Sequence, residues 1–294
     1  MMGVTDGSRT IRSPVAAGNF YPGSRERLAV EVDRLLAGAM ARSGARPKVT
    51  GSVRGIIAPH AGYEYSGPIA ATAYSTLLTT ASAATATTDA SRPRLVVILG
   101  PSHFEPLRGL AVSRHGAWRT PLGDVVVDSG ARRRLVDAGA VIDEAPHRSE
   151  HSIEVQLPFV QRCLPGIAVL PVAVGNGAPE WGATTLLEVM ADDALLVVST
   201  DLSHYLDVMA AREQDGRTAE VVETMDLARL RPRDACGVDA LRVGIAWARM
   251  SGCRIRLLDL RSSADTAGDP ARVVGYGAFE ITSGGKAPAP GRAG

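Results

Sequence analysis

The amino-acid sequence predicts an α/β fold built on an open, mixed and largely parallel sheet with helices on both faces. Strand-like and helical patterns alternate along the 294 residues, an order typical of sheets covered by helices. Runs such as "LVVIL" (95–99) and "ALLVVS" (194–199) are continuously apolar, which indicates strands buried on both faces. Such folds bind ligands beyond the carboxyl ends of their strands, so the loops after these runs are the first place to look for a site.

Short apolar or alternating runs bounded by turn residues predict the strands. The predicted strands are Gly55–Ala58, Leu95–Leu99, Gly109–Ser113, Asp124–Val127, Ile167–Val174, Leu195–Ser199, Arg254–Leu258 and Val273–Glu280. Helices are predicted where apolar residues recur at helical spacing, as at Leu28, Val32 and Leu35, or where a proline suits the first turn, as at Pro68. The predicted helices are Ser24–Leu36, a helix from Pro68, Ser129–Ala138, Trp181–Met190, Glu213–Thr224 and Gly237–Met250.

Composition narrows the function classes. The chain is 45% hydrophobic and 21% charged, with a formal net charge of +1, which fits a globular protein and argues against nucleic acid or an anionic membrane as the main partner. No apolar run approaches the roughly 20 residues that span a bilayer, and the first residues lack the apolar core of a secretory signal. Three cysteines without CxxC spacing argue against a disulfide framework, so a cytoplasmic location is expected.

The ends of the chain differ from its middle in composition. Residues 1–12 and 283–294 are rich in polar residues, glycine or proline, and they are predicted to be disordered tails. The sequence between them, 13–282, is predicted to form one α/β domain.

Three predicted strands are each followed by a histidine. "GIIAPHAGY" leads to His60, "LVVILGPSH" to His103, and "LVVSTDLSHY" to Asp201 and His204. If these strands are parallel neighbours, the imidazoles converge on one rim of the sheet. Clustered neutral imidazoles suit iron, copper or zinc, because they bind without losing a proton near pH 7. A single histidine of this kind more often caps a loop, but three in the same context favour a metal site.

Two further elements add candidate residues. In "SEHSIEVQLPF", His151 and Glu154 are three residues apart and share a face if a helix starts there, with Pro158 kinking or ending it. The alternative for this pair is a capped helix start. Cys236 lies directly before a predicted helix, where a thiolate is stabilised and can act as ligand or nucleophile. Cys163 and Cys253 fit small buried apolar residues.

Seven motifs in a fixed order resemble one family. The motifs are "NFYPG", "APHAGYEYSG", "LGPSH", "TPLGDV", "EHSIEVQLPF", "STDLSHY" and "DACG". They resemble the Memo family, whose prokaryotic members are called AmmeMemoRadiSam system protein B, and the resemblance covers Pro14 to Ile281. That family is similar in fold to the class III extradiol dioxygenases, which are non-haem iron enzymes.

The resemblance implies a set of site residues. His60, His103 and Cys236 would be the metal ligands, His204 with Asp201 would match the acid/base region, and His151 would be a further pocket histidine. Extradiol dioxygenases use two histidines and a carboxylate, whereas a thiolate here is softer and oxidisable. Iron(II) is the leading metal, with copper or zinc as alternatives, and catechol cleavage does not carry over. The function expected is metal-dependent redox chemistry on an unidentified small molecule or peptide.

Other functions stay open at the level of sequence. A non-catalytic binding or metal-carrying module is one, and the family name implies AMMECR1-like and radical SAM partners. A metal-assisted or nucleophilic hydrolase using Ser102 or Cys236 is a minor alternative, since no GxSxG elbow is present. "RHGAWRTP" resembles a histidine phosphatase motif, but Trp118 disturbs its spacing and no His-Asp or His-Glu dipeptide follows. Arg114, His115 and Arg119 are therefore interpreted as loop and surface residues. The sequence leaves the roles of Tyr63, Tyr65 and Tyr205 open.

Overall fold

The computed structural model of the protein describes residues 10–43, 51–83, 93–177, 179–191 and 193–284. Its strands are β1 (Ile11–Arg12), β2 (Val53–Ala58), β3 (Leu95–Pro101), β4 (Leu110–Val112), β5 (Ala117–Thr120), β6 (Gly123–Val126), β7 (Val141–Ile142), β8 (Ala168–Val174), β9 (Ala194–Ser199), β10 (His204–Leu206), β11 (Cys253–Ser262) and β12 (Val273–Ser283). Its α-helices are α1 (Arg25–Ser43), α2 (Gly67–Ala83), α3 (Ser129–Asp137), α4 (Ala145–Arg148), α5 (Leu157–Cys163), α6 (Pro179–Leu187), α7 (Val208–Thr224) and α8 (Val238–Met250).

The main sheet is mixed, as predicted, and its centre is parallel. The strands run in the order β10-β12-β2-β9-β3-β8-β4-β7, and β11 pairs with β12. The four central strands β2, β9, β3 and β8 pair in parallel. Antiparallel pairing begins on one side with β12 against β2 and on the other with β4 against β8. The carboxyl ends of β2, β9 and β3 therefore lie side by side.

Helices cover both faces of this sheet because the central strands alternate apolar side chains between two cores. In β2, Ile56 and Ala58 pack with helices α1, α2 and α5, while Ile57 belongs to the core under α6 and α8. Both sides of β3 and β9 are buried in the same way. The continuous apolar runs in the sequence thus correspond to strands with no solvent-facing side.

Every predicted strand and helix is present, although the observed ends of most elements differ from the predicted ends. The largest extension is at α1, which continues past Leu36 to Ser43. Pro158 does not end a helix: it lies in the first turn of α5, after a 3-10 turn over Glu154–Gln156. No helix in the described part of the chain is long and apolar enough to cross a membrane.

A small second sheet, β1-β5-β6, corrects two predictions. The predicted N-terminal tail ends too late, because Ile11 and Arg12 pair with Ala117 and Trp118 and the Arg12 side chain is buried. Arg119 lies in strand β5 rather than a loop, although its side chain is exposed as expected. At the other end, β12 includes Ser283, so the predicted C-terminal tail begins one residue too early. Residues 1–9 and 285–294 lie outside the described residues.

Candidate metal centre

The candidate site lies at the carboxyl ends of β2, β9 and β3. His60 follows β2 by two residues, His103 follows β3 by two, and Asp201 follows β9 by two. The rings of His60 and His103 are 5.3 Å apart between centroids, nearly perpendicular to each other. The convergence expected from the sequence is therefore present, since parallel neighbours end at the same edge of the sheet.

Cys236 completes a three-residue cluster. One ligand atom each from His60, His103 and Cys236 lies within 4.8 Å of the others. The Cys236 sulfur is 3.2 Å from Nε2 of His60. The backbone N–H of Cys236 donates to the Asp201 carbonyl at 3.2 Å, and the Asp201 N–H points at the sulfur from 3.3 Å. Two backbone contacts thus hold the cysteine against the β9 loop.

A close backbone approach brings Cys236 to this position. Gly237, the N-cap of α8, donates its N–H to Thr200 Oγ1 at 3.0 Å. A Cβ at Gly237 would lie 2.9 Å from that oxygen and 3.0 Å from the Ser199 carbonyl. Only glycine fits this contact without a shift. In the "DACG" motif, Cys236 therefore supplies the sulfur, and Gly237 allows the close approach that positions it.

His60 is buried and held from behind. Its Nδ1 is 2.9 Å from Ser199 Oγ, which leaves Nε2 facing the cluster. Burial, followed by the nearby His103, lowers the pKa of His60 to about 3. The ring is therefore neutral near pH 7, as a metal ligand must be.

His103 is held by a carboxylate that sequence reasoning missed. Glu150 Oε1 is 2.9 Å from His103 Nδ1, and Oε2 accepts the His103 backbone N–H at 2.6 Å. Burial alone would raise the pKa of Glu150, but the His103 hydrogen bond and charge outweigh it and lower the pKa to about 2. An ionised carboxylate behind a ligating histidine is the usual support of a protein metal site. "SEHS" offered no periodic signal that distinguished Glu150 from Glu154.

Glu154 is not the acid that meets the histidines. It is fully buried and pairs with Arg12, while its carboxylate also accepts from Tyr21 and from the backbone N–H groups of Val15 and Ala16. These contacts satisfy both oxygens. The expected pairing with His151 failed because residues 151–153 are not yet helical, so a three-residue spacing does not place them on one face.

His151 lies beside both His60 and His103. Its ring stacks on His103 with centroids 5.0 Å apart and meets the edge of His60 at 5.5 Å. Phe20 stacks on its other side at 4.2 Å. Burial, followed by the nearby His60, lowers the pKa of His151 to about 4. A neutral imidazole thus lies directly against His60 and His103.

His204 and Asp201 form a second cluster together with Cys236. Ligand atoms of the three residues lie within 4.8 Å of one another. His204 Nδ1 lies 2.9 Å from the Leu202 carbonyl and donates to it, because a carbonyl only accepts. Asp201 Oδ1 accepts the backbone N–H of His60 at 2.7 Å. Burial raises the pKa of Asp201.

The thiol fits a metal better than it fits a free nucleophile. Burial, followed by the nearby Asp201, raises the pKa of Cys236, so the sulfur holds its proton when no cation is bound. A metal ion replaces that proton and removes the cost of a buried negative charge. Two imidazoles plus one thiolate is a donor set that iron, copper and zinc accept.

Aromatic side chains surround the opening. Phe104 is 59% exposed and its ring centroid lies 6.2 Å from that of His151. Tyr205 is 64% exposed, has a positive φ of 62°, and lies under the Arg272 guanidinium. Tyr65 is partly exposed, whereas Tyr63 is buried and donates to the Val155 carbonyl. Of the three tyrosines left open by the sequence, Tyr63 therefore packs in the core, and the other two are exposed.

The two alternative motifs have other partners. Ser102 Oγ donates to the Glu105 carbonyl, so it has no hydrogen bond to His103. Arg119 pairs with Asp124 on the surface, and His115 lies 3.1 Å from Glu144.

The family model and the curated relatives agree on one family. A family model described as Memo-like protein matches residues 12–280. A MEMO1 family protein of Nitrosopumilus maritimus is 32% identical over 285 residues, covering 92% of this chain and 99% of that protein. Another, from Methanosarcina mazei, is 34% identical over 289 residues with the same coverage. Among solved structures, the uncharacterized protein JW3007 from Escherichia coli K12 aligns with a TM-score of 0.46 at 13% identity, covering 78% of this chain and 99% of that one.

Proposed function

The chain belongs to the Memo-like protein family, and from that premise we propose that it binds a redox-active metal through His60, His103 and Cys236 and supports redox chemistry there. One observation carries the proposal. The cluster brings three donor atoms within 4.8 Å, and the far nitrogen of each histidine is already engaged, by Ser199 or by Glu150. Histidines that bind a metal through one ring nitrogen are typically held in this way through the other.

The donor set favours particular metals. A thiolate with two imidazoles accepts iron(II), copper or zinc, and iron(II) is the leading candidate by similarity to the non-haem dioxygenases. When bound, such a metal supplies electron transfer or oxygen binding. We propose a cytoplasmic location, because reducing conditions protect an oxidisable thiolate such as that of Cys236.

The chain's own residues would handle protons and position the substrate. His204 donates through Nδ1 to the Leu202 carbonyl, so Nε2 is the ring nitrogen that would accept a proton from the substrate beside Cys236 and return it later. Asp201 lies next to it and holds the backbone of His60. His151, stacked between Phe20 and His103, would form the wall against which a substrate lies.

The test is metal content after anaerobic purification, by plasma mass spectrometry. Wild type, Cys236→Ser and Cys253→Ser are compared, the last removing a buried thiol outside the cluster. We expect near-stoichiometric metal in wild type and Cys253→Ser, and little in Cys236→Ser. A folded wild-type protein that takes up no iron(II), copper(I) or zinc would overturn the proposal.

A second candidate function is a binding module, favoured by the exposed aromatics Phe104 and Tyr205 at the opening. Large apolar side chains at a rim suit a peptide or a partner protein. AMMECR1-like and radical SAM proteins are the candidate partners. Oxygen consumption with a small-molecule substrate would favour the enzyme. Partner binding that is unchanged in His60→Ala/His103→Ala would show that the module does not need the metal.

A further inference from the structure

The Ser199 hydroxyl behind His60 has three hydrogen-bond partners. It contacts the Ser152 carbonyl at 2.7 Å, Gln156 Nε2 at 2.8 Å and His60 Nδ1 at 2.9 Å. A serine hydroxyl has one proton and two lone pairs. The Ser152 carbonyl can only accept, so the hydroxyl proton goes there. Ser199 must then accept from both nitrogens, which means that His60 Nδ1 carries a proton.

The orientation of the Gln156 amide is fixed in the same way. Its Nε2 is 3.0 Å from the Pro59 carbonyl, which can only accept, so the NH2 group must face Pro59 and Ser199. Its Oε1 accepts from the Tyr74 hydroxyl at 3.0 Å. Gln156 therefore cannot turn its oxygen toward Ser199 without facing one carbonyl with another.

The network is sealed from solvent. Tyr74, Ser152, Gln156 and Ser199 are fully buried and His60 is 1% exposed. Donors and acceptors of the network match each other within the protein, and a buried donor or acceptor left without a partner would be destabilising. The ring nitrogen of His60 that carries the proton is thus determined by Ser199 and Gln156, neither of which supplies a donor atom to the cluster.

We propose that Ser199 and Gln156 are positioning residues that hold His60 with its proton on Nδ1, so that Nε2 faces the Cys236 sulfur as a bare lone pair. This inference rests on the proposed function for its consequence, which is metal binding. His60 differs in this from His103, whose Nδ1 faces a carboxylate. The neutral Ser199 hydroxyl fixes the His60 ring without adding a charge. Glu150, in contrast, places a negative charge behind His103.

The first test reads the protonation state directly in metal-free protein. Two-bond ¹H–¹⁵N spectra of the imidazoles are recorded, and the His60 signals are identified by their loss in His60→Gln. We expect a protonated Nδ1 and an unprotonated Nε2. A proton on Nε2, alone or as part of an imidazolium–thiolate pair with Cys236, would overturn the inference whether or not the protein binds metal.

The second test removes the acceptor. Ser199→Ala is expected to mix the two protonated forms of His60 and to weaken metal binding by about 10- to 100-fold. Ser199→Thr, which keeps the hydroxyl, should restore both. Ser75→Ala removes another buried hydroxyl, bonded to the Thr72 carbonyl in α2, and should change neither.

Unchanged His60 signals and unchanged metal affinity in Ser199→Ala would refute the positioning role while leaving the proposed function intact. If Ser199→Ala does not fold, Gln156→Met removes one donor to Ser199 and should weaken binding by about tenfold. If wild type itself binds no metal, the proposed function fails, and the imidazole spectra alone decide the protonation of His60.

Discussion

The sulfur of Cys236 lies 3.2 Å from Nε2 of His60, although the two residues are 176 positions apart in the chain. One arrives from the end of strand β2 and the other from the start of helix α8. This contact belongs to the candidate site. The residues that support each partner can be tested separately.

Glu150→Gln should weaken metal binding by about 10- to 100-fold, because the charged support behind His103 is lost. Binding is measured by competition with a chromogenic chelator. The matched control is Glu144→Gln, a buried carboxylate beside His115 that lies outside the cluster. Equal affinities for wild type and Glu150→Gln would mean that the carboxylate only holds the loop.

Gly237→Ala should weaken metal binding while the protein stays folded. The new methyl group would lie 2.9 Å from Thr200 Oγ1 and would push Cys236 away from the β9 loop. Gly216→Ala is the control, since nothing lies within 4 Å of that position in helix α7. Alanine there should stabilise the helix by about 1 kcal/mol and leave metal affinity unchanged. Metal titrations and urea unfolding of both variants separate these outcomes.

Glu154→Gln should lower the free energy of unfolding by about 3 to 5 kcal/mol, because it leaves the buried Arg12 without its anion. Glu280→Gln breaks the pair with the partly exposed Arg256 and should cost about 1 kcal/mol or less. Urea unfolding of the metal-free proteins measures both. If Glu154→Gln lost metal binding but kept its stability, Glu154 would have a role in the candidate site instead of a structural one.

Asp215 should make stability fall as the pH rises. Burial raises its pKa to about 6, against about 3.9 in an unfolded chain. Between these values the unfolded state loses its proton first, so stability falls as pH rises from about 4 to about 6, by about 2 to 3 kcal/mol in total. The difference in unfolding free energy between wild type and Asp215→Asn, measured across this range, isolates the effect. A difference that moves in wild type's favour as pH rises would contradict it.

The sequence predicts the central sheet and the meeting of His60 and His103 because both depend on local signals, whereas Cys236 joined them through the family resemblance. Apolar runs that end in His60 and His103 carry their own direction and length, and parallel pairing then brings their ends together. Glu150, Ser199 and Gln156 give no such signal. Their roles depend on which backbone carbonyls and imidazoles face them after folding, and no spacing along the chain encodes that.

The short strands were missed for a related reason. Ile11 and Arg12 form β1 only because Ala117 and Trp118 lie alongside them, and the Arg12 guanidinium packs 4.1 Å from the Trp118 ring centroid. Two-residue strands have no periodicity of their own to detect. A long-range contact also decides the role of Glu154. Its partner Arg12 is 142 residues away in the chain, so local spacing could not distinguish Glu154 from a residue of the candidate site.

Strand β12 determines when the pocket can form during synthesis. It pairs with β2 and also closes the loop before His204, where Leu202 donates to the Gly275 carbonyl and Gly275 donates to that of Ser203. His60 therefore leaves the ribosome long before the strand that completes its surroundings, and domains generally fold as units during synthesis. A growing chain would carry its cysteine and histidines without the second cluster that His204 completes. We expect selective metal uptake to be a late event, after the last strand has joined the sheet.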